Sequence, residues 1–182
     1  MTTYQETTVQ TYTREQLLEK YHDVNVDHGS DWHEHVLEHQ QELFKAAGWI
    51  VELEDMRFCG FWSQGDGASF IGQFVGSADT PAWIKTLLDA DEVQVHAVRG
   101  SSRYAHHNTC RTELEEYGAD LTEAQDALLV QFEADIEEQR VALCQQLYAA
   151  LEEAYEYYTA EEQVWEWIEC NVLDDLTVVE GD

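Results

Sequence analysis

The sequence predicts an α+β protein: a small antiparallel sheet of about four strands covered by helices, with a long acidic helical C-terminal third. Three observations carry that expectation. Apolar residues recur at helical spacing in the N-terminal and C-terminal parts of the chain. Between them, from Trp49 onward, the period falls toward two and the composition turns β-branched and aromatic. The 182 residues are 44% hydrophobic and include six Trp, nine Tyr and six Phe, enough to bury a core.

Thr13-Arg-Glu-Gln16 forms a capping box, with Tyr12 placed to staple onto Leu17, and opens a short helix ending near Tyr21. Asp23 to Gly29 reads as a loop. Ser30 caps a second helix whose apolar face is Trp32, Val36, Leu43 and Ala47, stopped by Gly48. Trp49 to Trp62 and Ala68 to Val75 read as two antiparallel strands, and the SQGDG between them supplies the glycines of a hairpin loop. Thr80-Pro81 places a cap and a first-turn proline at the head of a helix through Asp89, with Trp83, Ile84, Leu87 and Leu88 inward. Val93, Val95 and Ala97 alternate with Gln94, His96 and Val98 in a strand that Gly100-Ser-Ser turns back into Arg103 to Tyr117.

Thr122-Glu-Ala-Gln125 is another capping box, heading a helix from Glu123 to Tyr158 that would run roughly 54 Å. Its apolar stripe is Ala124, Leu128, Phe132, Ile136, Leu143, Leu147, Leu151, Ala154 and Tyr158. Thr159-Ala-Glu-Glu162 reads as a third box that restarts the chain as a last helix through Cys170, and Leu176 to Val179 adds a short terminal strand. With one proline, no repeat and no linker, one domain is expected, residues 1–22 forming a peripheral helix and 121–182 the acidic third.

Charge is the dominant compositional feature. The chain carries a net −29, and from Glu113 to the C-terminus 21 Asp and Glu face a single basic residue, Arg140. Such a field speaks to partners and solubility rather than to fold. A disordered acidic tail is excluded, because Leu, Val, Trp and Tyr are interleaved with the carboxylates throughout. The N-terminus has no signal-like pattern and no 18-residue apolar stretch occurs, so a soluble, cytoplasmic protein without membrane contact is expected. Cys59, Cys110, Cys144 and Cys170 are widely spaced and read as free buried thiols.

The sharpest catalytic pattern is His35-Val-Leu-Glu-His39, which matches the H-x-x-E-H of inverted zinc metalloproteases. The helical wheel argues against it: both histidines flank the Trp32/Val36/Leu43 face while Glu38 projects toward solvent. A distal glutamate from Glu113, Glu115 or Glu116 is uninformative in a chain with 24 Glu. His106 and His107 fall in a predicted strand, where neighbours face opposite sides and cannot easily share a ligand. No nucleophile elbow, Walker loop or dinucleotide fingerprint occurs. The expectation is a protein without catalytic residues, metal or cofactor.

Phe58-Cys-Gly-Phe-Trp-Ser-Gln-Gly-Asp-Gly-Ala-Ser-Phe70 stands apart. It resembles a hallmark stretch, roughly F-x-G-F-W-S-Q-G-D-G-A-x-F, of small acidic proteins encoded by bacteriophages. Arg103-Tyr-Ala-His106, the tract from Leu147-Tyr148 to Tyr157-Tyr158-Thr159 and the acidic end are similar to that group as well. The likeness is dense over the hallmark and loose over most of Val24 to Leu173. It implies a phage setting and an antitoxin-like label rather than a mechanism. Physically, Trp62, Gln64 and Asp66 crowd a glycine-permitted turn in which Asp66 can bind its own loop amides or Trp62 and Gln64 can face a partner.

Duplex DNA presents one negative charge per about 1.7 Å of axis. Nine carboxylates from Glu123 to Glu156 span about 50 Å of helix, roughly a third of that density. They fall in two blocks: Glu133, Asp135, Glu137 and Glu138 close the first, and Glu152, Glu153 and Glu156 form the second. Gln139 to Leu151 holds no acid and is expected to pack on the sheet or on a second copy in a homodimer. Glu161, Glu162, Asp174 and Asp175 extend the field.

The leading expectation is a phage-encoded, non-enzymatic inhibitor of a basic host protein, a nucleic-acid-binding or defence factor, with carboxylates standing in for phosphates and no direct contact with nucleic acid. The alternative is an antitoxin-like or host-factor regulator that recognises its partner through the Trp62 to Asp66 hairpin. Adaptation to high salt is a third reading of the acidity.

Overall fold

The computed structural model describes residues 11–27, 31–100, 102, 104–118, 120–173 and 177–178. In chain order the elements are β1 (Thr11–Tyr12), α1 (Arg14–Tyr21), α2 (Val24–Asp27), α3 (Glu34–Ala46), β2 (Trp49–Ile50), β3 (Met56–Cys59), β4 (Gly67–Phe70), β5 (Gly72–Phe74), α4 (Ala82–Asp89), β6 (Val93–Arg99), β7 (Cys110–Glu116), α5 (Glu123–Thr159), α6 (Glu161–Asn171) and β8 (Thr177–Val178). The fold is α+β as expected, with a four-stranded antiparallel sheet and a long C-terminal helix. The chain groups into two compact units, Glu34–Glu152 and the two segments that flank it.

The larger unit is built on the sheet ordered β2-β5-β6-β7. In β6, Val93, Val95 and Ala97 are buried, as the alternation predicts, and β7 pairs along its whole length from Val93↔Glu116 to Arg99↔Cys110. Aromatic rings fill the interior. Trp49 meets Phe70 and Phe74 edge-on at 5.3 and 5.4 Å, and Phe74 meets Phe132 of α5 at 5.8 Å. The Trp49 indole donates to Gln139 Oε1 at 2.9 Å, so its polar atom is satisfied within an apolar site.

The expected pair of long strands is divided. Leu53–Asp55 forms a 3₁₀ turn that separates β2 from β3, in a Glu-Leu-Glu-Asp run with little preference for strand. Opposite it the partner strand breaks at Ile71, and a Cβ on Gly72 would lie 2.4 Å from the Ile50 carbonyl oxygen. The close approach requires glycine there. The result is a separate hairpin, β3 with β4, registered from Met56↔Phe70 to Cys59↔Gly67.

Helix faces also shift. On α3 the buried residues are Val36, Gln40 and Phe44, one strict i, i+4 line, whereas Trp32, Leu43 and Ala47 are only partly covered. The wholly buried Phe44 packs on Phe70 at 4.6 Å, and that aromatic contact sets the rotation of the helix. The expected cap at Ser30 lies outside the described residues. Pro81 occupies the N-cap of α4 rather than its first turn, and Thr80 Oγ1 instead accepts from the Ser77 amide at 2.9 Å. On α5 the stripe runs through Leu129, Phe132, Ile136, Arg140, Leu143, Cys144, Leu147 and Leu151, while Ala124 and Leu128 face out. Phe132 meets Phe74 of the sheet, and Leu129, three residues before Phe132, takes the buried place in that turn although Leu128 shares the i, i+4 spacing of Phe132 and Ile136. The segment without acid therefore packs inside this unit, with Tyr148 against Phe61 at 5.6 Å.

His106 and His107 are not in a strand. His106 caps a 3₁₀ turn, His107–Thr109, and its Nδ1 accepts from the Asn108 amide at 3.0 Å. β7 begins only at Cys110, because Thr109 Oγ1 donates to the Tyr104 and His106 carbonyls and closes the turn.

The smaller unit gathers α1, α2, α6, the end of α5 and the parallel pair β1-β8. The box at Thr13 forms in both directions, and Leu17, Val164 and Ile168 make a core onto which Tyr12, Tyr21 and Trp167 pack. Within the expected loop after Asp23, Val24–Asp27 is helical. Asn25 Nδ2 bonds the Tyr158 carbonyl at 3.0 Å and Tyr155 donates to Asp23 at 2.8 Å. α5 runs through Thr159 and the break falls at Ala160, within the expected segment but without the expected cap. Thr159 Oγ1 donates to the Tyr155 carbonyl, which leaves it no role toward α6. Thr177–Val178 lies within the expected terminal strand, whose ends are outside the described residues.

Candidate functional site

The acidic surface starts from the cap of α5. Thr122 and Gln125 exchange side-chain bonds to each other's amides at 3.1 and 3.4 Å, so the helix begins where the box predicts. Its carboxylates then fall into two chemically different sets.

Glu137 belongs to the fold. Arg140, the lone basic residue of the acidic third, is 1% exposed and donates to both Glu137 oxygens, from Nε at 2.8 Å and from Nη2 at 2.6 Å. The same Nη2 reaches the His107 carbonyl at 3.1 Å. Glu137 Oε2 also accepts from the Thr112 amide and hydroxyl, each at 2.8 Å, which occupies a backbone donor of β7. Burial alone would raise the Glu137 carboxyl, but the bonds from Arg140 and Thr112 outweigh it and hold it below the usual range. A carboxylate committed this fully is a bracket between helix, strand and turn. The signal for it was present: position 140 lies four residues after Ile136 and three before Leu143, on the apolar stripe.

The second set faces outward. Among the described residues Glu133, Glu138, Glu152, Glu153, Glu156 and Glu162 have no basic partner. Asp135 accepts from Gln131 at 2.8 Å, and Glu161 meets Arg14 at 3.4 Å in an exposed pair of little energetic weight. Glu133, Asp135, Glu138 and Glu152 belong to the larger unit, and Glu153, Glu156, Glu161 and Glu162 to the smaller. Asp174 and Asp175 lie outside the described residues.

The hallmark loop divides in the same way. Asp66 Oδ2 accepts from the Trp62 and Ser63 amides at 2.8 and 2.5 Å, so the aspartate closes its own turn. Gly60 sits at φ +46°, and a Cβ there would meet that same carboxylate at 2.6 Å. Phe61 stacks on Phe58 at 6.0 Å and packs on Tyr148. These residues hold the loop. Trp62, 75% exposed, and Gln64 project from it.

His35, Glu38 and His39 are exposed on α3. The His106 and His107 rings lie 3.9 Å apart, closer than strand geometry would allow, and burial, with His106 and Arg140 beside it, pushes the His107 imidazole below its usual value. Among the described residues no three His, Cys, Asp or Glu side chains gather where they could hold a metal ion. Of the cysteines, Cys110 and Cys144 are buried, Cys59 is partly covered and Cys170 is exposed, contrary to expectation, because it lies outside the Val164 and Ile168 line of α6. Burial pushes the Cys144 thiol up to about 11. Among the described residues no helix is long and apolar enough to cross a membrane.

Residues 32–161 match the model of a family described as a domain of unknown function, DUF8835. No curated protein and no solved structure matches the chain.

Proposed function

The chain belongs to the DUF8835 family, and we propose that it is a non-enzymatic inhibitor, acting in the phage setting its hallmark stretch implies, that occupies a basic host protein with carboxylates in place of phosphates. The observation that supports this reading is the contrast along α5. One carboxylate, Glu137, is neutralised by the buried Arg140, while Glu133, Glu138, Glu152, Glu153 and Glu156 have no basic partner among the described residues. Unpaired like charges cost a folded chain self-repulsion, which a basic partner would relieve.

The target class follows from the spacing of the two blocks. Thirteen residues without acid, Gln139 to Leu151, separate Glu138 from Glu152, roughly 20 Å of helix. A shaped surface with separate basic patches, as on a nucleic-acid-binding or defence factor, fits that distribution better than a uniform rod does. Reversal tests it. Glu133 and Glu138 to Lys, or Glu153 and Glu156 to Lys, should each weaken partner binding at least about tenfold and flatten its salt dependence. Trp62→Ala should leave it within about twofold.

A second reading rests on Trp62. A large aromatic side chain 75% exposed on a loop closed by Asp66 is a suitable anchor for an antitoxin-like regulator. It predicts the opposite result: loss of binding in Trp62→Ala and little change on charge reversal.

A further inference from the structure

We propose that the acidic surface carries one specific reading site, a groove beside α5 that takes an arginine side chain of a basic protein segment. The groove encloses about 360 Å³ and lies wholly within the larger unit. Trp83, Leu128, Phe132 and Ile136 supply its apolar lining, and Asp79 and Asp135 its charge. A volume near the lower end of the range for ligand sites suits one long side chain better than a cofactor.

Three features select arginine. Among the described residues neither Asp79 nor Asp135 has a cationic partner, so the negative charge at the groove is uncompensated. Gln131 Nε2 holds Asp135 Oδ1 at 2.8 Å, which fixes the carboxylate and leaves Oδ2 to accept from an incoming donor. Trp83 offers an aromatic surface, and Leu128, 55% exposed, offers apolar cover for an aliphatic stem. A guanidinium is planar, weakly hydrated and able to stack on an indole while donating to carboxylates, which an ammonium does less well. The start of α4, at Pro81 and Ala82, opposes a cation there with about half a positive charge. Two full carboxylates outweigh it.

This site rests on the reading of the acidic surface as partner-binding, so the test separates the two. The whole chain is titrated with nona-arginine and nona-lysine at low and moderate salt, followed by calorimetry and by amide and indole NMR shifts. The variants are Asp135→Asn and Gln131→Trp, both at exposed positions, the second filling the groove. The expected result is about tenfold tighter binding of the arginine peptide, with shifts at the Trp83 indole and at Leu128. Either variant should abolish that preference, Asp135→Asn while weakening both peptides and Gln131→Trp while leaving nona-lysine binding within about twofold. Equal binding of the two peptides, or a preference that survives both variants, overturns the groove while salt-sensitive binding keeps the acidic-surface reading. Failure of both peptides to bind at low salt overturns that reading and the groove with it.

Discussion

Glu137 and Gly60 show how individual residues in the most acidic and most glycine-rich parts of this chain serve the fold. Glu137 accepts from Arg140 and Thr112, and its carboxyl is held below the usual 4.5. A depressed acid stabilises the folded state above its unfolded value and loses that contribution as pH falls through the folded one. Glu137→Gln should therefore cost about 2 kcal/mol at pH 7, less than a wholly buried pair because Glu137 is 38% exposed. The gap between wild type and variant should close as pH drops below 4.5. Urea melts at pH 7 and pH 3 check both parts; a gap unchanged with pH would deny the linkage. Gly60→Ala should cost about 1–3 kcal/mol through its positive φ and the contact with Asp66. If that variant melts like wild type, the loop is not held as described.

At the scale of elements, α5 carries both the packing and the charge. Leu147 is wholly buried and Leu128 is 55% exposed, so Leu147→Ala should lose about 2–5 kcal/mol while Leu128→Ala stays within about 0.5 kcal/mol. Equal losses would mean the stripe runs as periodicity alone suggested. The helix's limits were legible because its start carries a capping box and its end a change of segment. The choice between Leu128 and Leu129 was not, since both lie near the apolar arc and only the aromatic contacts at Phe132 decide the rotation. The same holds for α3, whose face follows Phe44 rather than Leu43. Strand breaks were hidden for a different reason: the closeness of Gly72 to Ile50 is a tertiary fact with no local signature. Asp66 closing its turn was readable from the residues around it, whereas the Glu137–Arg140–Thr112 bracket joins positions that only the fold brings together.

For the whole molecule, a net charge of −29 makes ionic strength the natural variable. Exposed charges are screened beyond about 10 Å at 0.1 M salt, so attraction to a basic surface should fall steeply as salt rises, while a hairpin anchored by Trp62 should respond little. Salt also distinguishes halophilic adaptation, for which the folded state itself should weaken at low salt. Circular dichroism that is unchanged between about 20 mM and 1 M salt would remove that explanation.

The most direct measurement is capture of a host partner on the immobilised chain at about 50 mM and about 500 mM salt, with and without competing duplex DNA. A nucleic-acid-binding protein should be retained at low salt, released at high salt and displaced by the duplex, with capture lost when Glu133 and Glu138 are reversed. Capture that is indifferent to salt and duplex and is abolished by Trp62→Ala would contradict the acidic-surface reading.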